Sequence, residues 1–240
     1  MAYDGGPFAG WAAQPGPRTI QGEIEAGLER IGLPAALTVA GRTDAGVHAW
    51  GQVASLELDE EPRLDLRRAL DAVIPPEIVI LSAAEVPSGF DARRDARSRT
   101  YCYRVLPGRA QSPFEAGRAL WWPYPLDRKA LERCATALVG THDFTAFTPT
   151  QTEHVRFERD ILRCEWLEGP GIGPLGVLEL WIEADAFMRN MVRILVGTML
   201  EVAAGKRGPE GFRELLEGAP RERGGETARP HGLYLASVRY

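Results

Sequence analysis

Metal-ligand spacing is missing from this chain of 240 residues. Its three cysteines, Cys102, Cys134 and Cys164, lie far apart and form no C-x-x-C pair. An odd, unclustered set argues against a disulfide framework or a zinc site and fits reduced, buried thiols. The four histidines (His48, His142, His154 and His231) show neither H-x-x-x-H nor H-E-x-x-H spacing, so no metal is expected. No apolar run approaches the ~20 residues that span a bilayer, and no charged segment followed by an apolar one opens the chain. No membrane partner and a cytoplasmic location are the expectation. Low-complexity segments and flexible linkers are also missing. Lysine is nearly so: Lys129 and Lys206 are the only two among 28 basic residues, so arginine carries the positive charge.

The net charge of −5, taken alone, argues against a polyanionic partner. Phosphate contacts are local, however, and distribution outweighs the sum. FDARRDARSRTYCYRVLPGR (90–109) holds Arg93, Arg94, Arg97, Arg99, Arg104 and Arg109 against only Asp91 and Asp95. Charge alone fits a solvated face. Tyr101 and Tyr103 alternate with arginines there, and flat rings beside guanidinium groups suit base stacking and phosphate contact.

Helical spacing of Ile20, Ile24, Leu28 and Ile31 predicts a helix over 18–33 with Thr19 as its cap. Segments 36–40 and 51–58 read as strands, 63–76 as a short helix ended by two prolines, and 77–86 as a strand. The second half repeats the order, with a strand at 118–123, a helix at 127–140, paired strands at 158–168 and 176–185, helices at 189–206 and 209–218, and a strand at 232–240. An extra strand covers 98–105, and the opening strand of the first half is reduced to a fragment at MAYDGG. The expected class is α+β: two ferredoxin-like (split β-α-β) halves, 1–106 and 107–240, sharing a mostly antiparallel mixed sheet flanked by helices.

AGRTDAGVHAWGQVASLEL (40–58) connects two expected strands. Gly41 and Gly46 have the spacing of a phosphate loop, but Val47 and His48 stand where Lys and Ser or Thr are needed, so that reading fails. Two accounts of Asp44 remain. It is the Asx residue of a turn whose glycines supply positive φ. Or it is a carboxylate kept ionised by Arg42, fit to attack an electron-poor carbon or to stabilise an oxocarbenium-like centre. His48 reads as a hydrogen-bonding scaffold or as an acid–base partner.

Gly41-Arg42-Thr43-Asp44-Ala45-Gly46-Val47-His48, followed by Gly51-Gln52-Val53, resembles the signature of the TruA family of tRNA pseudouridine synthases. The likeness extends through Tyr3-Asp4-Gly5, Phe8, Gly10 and Trp11; Thr19, Gln21 and Gly22; Phe90-Asp91-Ala92-Arg93 and Arg99-Thr100-Tyr101-Cys102-Tyr103. It continues through His142-Asp143-Phe144 and Phe147, Phe187-Met188-Arg189-Asn190-Met191-Val192-Arg193, Gly197, Gly205-Lys206 and Gly232-Leu233-Tyr234-Leu235. Departures are the clipped first strand, Ala12-Ala13 where a glutamine is common, Asp91 in place of a histidine, and Ala228-Arg229-Pro230.

The resemblance implies an isomerase that converts uridine to pseudouridine at positions 38, 39 and 40 in the anticodon arm of tRNA. It implies no metal or organic cofactor, and a homodimer. Asp44 matches the essential aspartate, Arg42 and Arg193 the active-site arginines, and Tyr101 the tyrosine that contacts the flipped uracil. Arg93, Arg94, Arg97 and Arg99 are the candidates for RNA phosphates. Two other classes are weighed against it: a non-catalytic RNA-binding protein on the same scaffold, and a metal-independent hydrolase using Asp44 and His48. The aromatic strand pattern of RRM domains is missing, and a hydrolase leaves the basic strip unexplained.

Overall fold

The computed structural model describes residues 1–58, 62, 65–152, 155–173 and 175–240. His154, Pro174 and the start of the expected 63–76 helix at Arg63 and Leu64 lie outside the described residues. The chain forms two compact units, Met1–Arg97 with Tyr234–Tyr240, and Ser98–Leu233. Residues 98–106, placed with the first half by the sequence, thus cluster with the second unit, and the last seven residues with the first. Both units mix helices with mostly antiparallel strands, as the expected α+β class requires.

In the first unit α1 (Ile20–Arg30) starts where Thr19 accepts a hydrogen bond from the Gly22 N–H and buries Ile20, Ile24 and Leu28. Strands β1 (Ala2–Tyr3), β3 (His48–Ala49) and β5 (Ile78–Val79) pair antiparallel through the central β1. The last strand of the chain, β11 (Leu233–Arg239), runs parallel to β3, with Tyr234 opposite His48 and Leu235 opposite Ala49. Strands β2 (Thr38–Val39) and β4 (Ala54–Ser55) form a separate antiparallel pair. These strands are shorter than the alternation of residues predicts, for local reasons. The Ile80 N–H, just past β5, donates to the carboxylate of Asp71, the last residue of α2 (Leu66–Asp71), instead of extending a ladder.

The second unit is built on long strands. β6 (Ser98–Pro107) pairs antiparallel with β10 (Val177–Ala184) and parallel with β7 (Leu120–Trp122). β10 pairs with β9 (Glu158–Gly169), and β9 with β8 (Gly140–Asp143), both antiparallel. The amphipathic α3 (Arg128–Leu138), capped by Asp127, buries Leu131, Cys134 and Leu138. α4 (Met191–Ala203) is apolar nearly all round and correspondingly buried, and α5 (Pro209–Arg213) continues as a 3-10 turn. All three cysteines are free and buried, and burial pushes their thiols up, Cys134 to about 11. Among the described residues, no helix is long and apolar enough to cross a membrane.

Candidate active site

The Asp44 loop is pinned from both sides by backbone. The Val47 N–H donates to the Asp44 carbonyl at 3.1 Å, and Gly46 has a φ of 76°, as the third residue of a type II turn requires. The turn account is therefore right about the backbone, but only Gly46 supplies positive φ; Gly41 does not. Gly41 instead offers its carbonyl to the Gln52 amide at 2.8 Å. Arg42 is exposed and Asp44 half-buried on this frame.

The opening segment of the chain forms the other side of the clamp. The Trp11 N–H donates to the Thr43 carbonyl at 3.0 Å, and the Tyr3 hydroxyl lies 2.8 Å from the Thr43 hydroxyl. Gln52 donates to the same Tyr3 oxygen at 3.2 Å. Burial pushes the Tyr3 phenol up to about 12, against the pull of these two hydrogen bonds, so it serves as a neutral brace. Gly5 and Gly10 let the backbones meet. A Cβ at Gly5 would stand 1.9 Å from the Val47 carbonyl oxygen, and one at Gly10 would stand 2.9 Å from that of Thr43. Gly5→Ala is accordingly expected to destabilise the protein by about 1–3 kcal/mol and to disturb the Asp44 turn, read as a lowered melting temperature together with lowered activity.

His48 is a scaffold. It is buried, its ring stacks on Tyr234 at 4.7 Å, and Tyr234 stacks in turn on Trp50 at 4.4 Å. Its Nδ1 accepts the Gly5 N–H at 3.0 Å, which fixes the neutral ring's proton on Nε2. Asp4 Oδ1 stands 3.1 Å from the same nitrogen, an acceptor that would compete with the Gly5 bond whenever Nδ1 carries a proton.

The arginine strip divides. Asp91 accepts from the Arg93 and Arg94 N–H groups at 2.8 and 2.9 Å and pairs with the Arg94 side chain. Those bonds, the Arg94 N–H first, hold its carboxyl below the ordinary value. The turn leaves Arg93 and Arg97 exposed on the first unit, and Arg97 N–H and Tyr240 hydroxyl bonds tie it to the end of the chain. Arg99, on β6 in the second unit, is buried and donates to the Asp185 carbonyl at 3.1 Å. Arg104 is no surface cation either. It is buried in a bidentate pair with Glu115 at 2.8 and 3.2 Å and a further contact to Glu179 at 3.2 Å.

Also in the second unit, Tyr101 is buried on β6 with its ring edge-on to Phe187 at 5.0 Å. Tyr103, two residues on along the same face, donates to the Arg229 carbonyl at 2.7 Å. Arg193 stands in the first turn of α4, half-buried, with Nε donating to the Ala228 carbonyl and Nη1 to Asn190 Oδ1, at 2.8 and 2.9 Å. Of the residues expected from the sequence, Asp44, Arg42, Arg93 and Arg97 belong to the first unit, and Tyr101, Arg99 and Arg193 to the second. No sequence signal gives Gln52 or Asn190 a role of its own. Only the fold shows what they touch.

Residues 134–240 match a family model described as tRNA pseudouridine synthase. Over all of this chain and 87% of the relative's length, it is 45% identical to tRNA pseudouridine synthase A of Frankia casuarinae. The chain belongs to the tRNA pseudouridine synthase A family. Proteins of that name from Streptomyces griseus and Thermus thermophilus are 42% and 39% identical to it, over 100% and 99% of this chain and 86% and 94% of theirs. The synthase family is a family of isomerases.

Proposed function

We propose that this chain isomerises uridine to pseudouridine at positions 38, 39 and 40 in the anticodon arm of tRNA, with Asp44 as the nucleophile. The observation that carries this reading is the locked Asp44 turn, braced by Tyr3, Gln52 and Trp11, in a chain of this family. The reaction breaks the bond between the sugar C1′ and uracil N1, forms one between C1′ and C5, and exchanges the C5 proton for one at N1. Nothing is consumed. Asp44 attacks or assists departure of the base and Arg42 holds charge beside it; Arg193 is a further active-site arginine and Tyr101 contacts the uracil.

A base paired in a stem must leave the stack, at about a few kcal/mol. Contacts from the exposed Arg93 and Arg97 to phosphates offset that cost, whereas Arg99, buried on the Asp185 carbonyl, is not placed for one. The same reading includes two ferredoxin-like halves, a homodimer that shares one tRNA, and action in the cytoplasm.

The test is tritium release from tRNA labelled at uracil C5, followed by mapping of the modified positions. Release confined to the anticodon arm supports the reading; tight binding without release by the unaltered protein returns the chain to the RNA-binding class. Removing the exposed Arg93 or Arg97 is expected to weaken binding of all tRNAs alike. Each loss should flatten the slope of log affinity against log salt by about 1, measured by filter binding over a salt series.

A further inference from the structure

Asn190 breaks two local rules at once. Among the described residues it is the only non-glycine with positive φ, at 60°, a conformation that costs about 1–3 kcal/mol for most side chains and less for asparagine. It also occupies the N-cap of α4, where asparagine ordinarily accepts from the backbone N–H two or three residues on, yet its side chain makes no such bond. The carboxamide oxygen goes instead to Arg193 Nη1 at 2.9 Å. Arginine has no acceptor, so this bond has one possible direction.

The opposite side of the same guanidinium is held by Nε donating to the Ala228 carbonyl at 2.8 Å, and the Ala228 N–H returns a bond to the Arg193 carbonyl at 3.0 Å. That strap cannot retreat. One turn along α4, a Cβ on Gly197 would stand 1.8 Å from the Glu226 carbonyl oxygen, so the segment before Ala228 lies directly on the helix. Two of the five guanidinium N–H groups are thus fixed by acceptors on different sides, one of them presented by a backbone in an unfavourable conformation.

We propose that Asn190 is a positioning residue for the reaction: its left-handed backbone aims a carboxamide oxygen that sets the plane of the Arg193 guanidinium. Asn190 acts through Arg193 and touches no substrate. The inference rests on the role given to Arg193 above, so Arg193→Gln is measured beside it.

Glycine takes a positive φ without cost, so Asn190→Gly removes the carboxamide and keeps the backbone. Its melting temperature should fall by no more than roughly a few degrees, since the relieved backbone offsets part of the lost bond. Its single-turnover rate on C5-labelled tRNA should fall by about tenfold or more, with tRNA affinity unchanged. Asn190→Asp keeps the acceptor and should recover most of the lost rate. Full rate in Asn190→Gly, with Arg193→Gln inactive, overturns the positioning role alone. Equal losses in the Gly and Asp variants also overturn it, because the acceptor then does not matter. Full activity in Arg193→Gln removes the role of Arg193 and this inference together.

Discussion

Asp44→Asn is expected to lower pseudouridine formation by on the order of 10³-fold or more while leaving tRNA affinity nearly unchanged. The replacement keeps the size of the side chain and every backbone bond of the turn, including the Asp44 carbonyl that accepts from Val47. What it removes is the negative charge and the nucleophilic oxygen pair. On the proposed function, affinity rests on arginines elsewhere, so binding and turnover should separate. Asp44→Glu sharpens the test, because it restores the charge but moves it by one carbon–carbon bond. On a turn clamped by Trp11, Tyr3 and Gln52 the backbone cannot shift to compensate, and a displacement of that size costs about 10²-fold. Tritium release and filter binding on the three proteins give the answer. Equal rates for wild type and Asp44→Asn would end the nucleophile assignment.

The largest expected loss of stability lies away from that loop. Arg104, Glu115 and Glu179 form a buried triad, with side-chain exposures of 7%, 1% and 10%. The carboxylates are further satisfied by the Ile172 N–H on Glu115 and the Trp181 indole N–H on Glu179. Glu115→Ala strands the Arg104 guanidinium without its bidentate partner, at about 3–5 kcal/mol. For a protein of this size each kcal/mol lowers the melting temperature by about 2–4 °C, so a fall of roughly 6–20 °C should be seen by thermal melt. Glu179→Gln keeps an oxygen for Arg104 and should cost only about 1–3 kcal/mol. A smaller loss for Glu115→Ala than for Glu179→Gln would contradict this ranking of the two carboxylates.

That triad also marks where sequence reading stops. The alternation along β6 puts Arg104 on the opposite face from Tyr101 and Tyr103, a parity visible in the sequence. That Glu115 and Glu179 face it from a loop and from β10 depends on strand register, which the sequence does not carry. Helices α1 and α3 were legible, α1 with its cap Thr19, because spacing and capping are local signals; Gly140, expected at the end of α3, instead opens β8. The strand β3 was not, since His48 and Ala49 have little strand propensity and gain order from neighbours distant in the chain. Resemblance names Asp44, Arg42, Tyr101 and Arg193 as candidates, but the bond from Asn190 to Arg193 depends on a left-handed backbone that no local pattern announces.

The parallel pairing of β11 with β3 has a consequence for how the protein is made. The second unit is one continuous stretch, Ser98–Leu233, complete as soon as it has been translated. The first unit must wait for Tyr234–Tyr240, whose Tyr234 stacks against His48 four residues past Asp44 and whose Arg239 carbonyl receives the Arg97 N–H. A nascent chain therefore carries an unfinished first unit, and an Asp44 loop without its Tyr234 neighbour stack, until Tyr234–Tyr240 have been made.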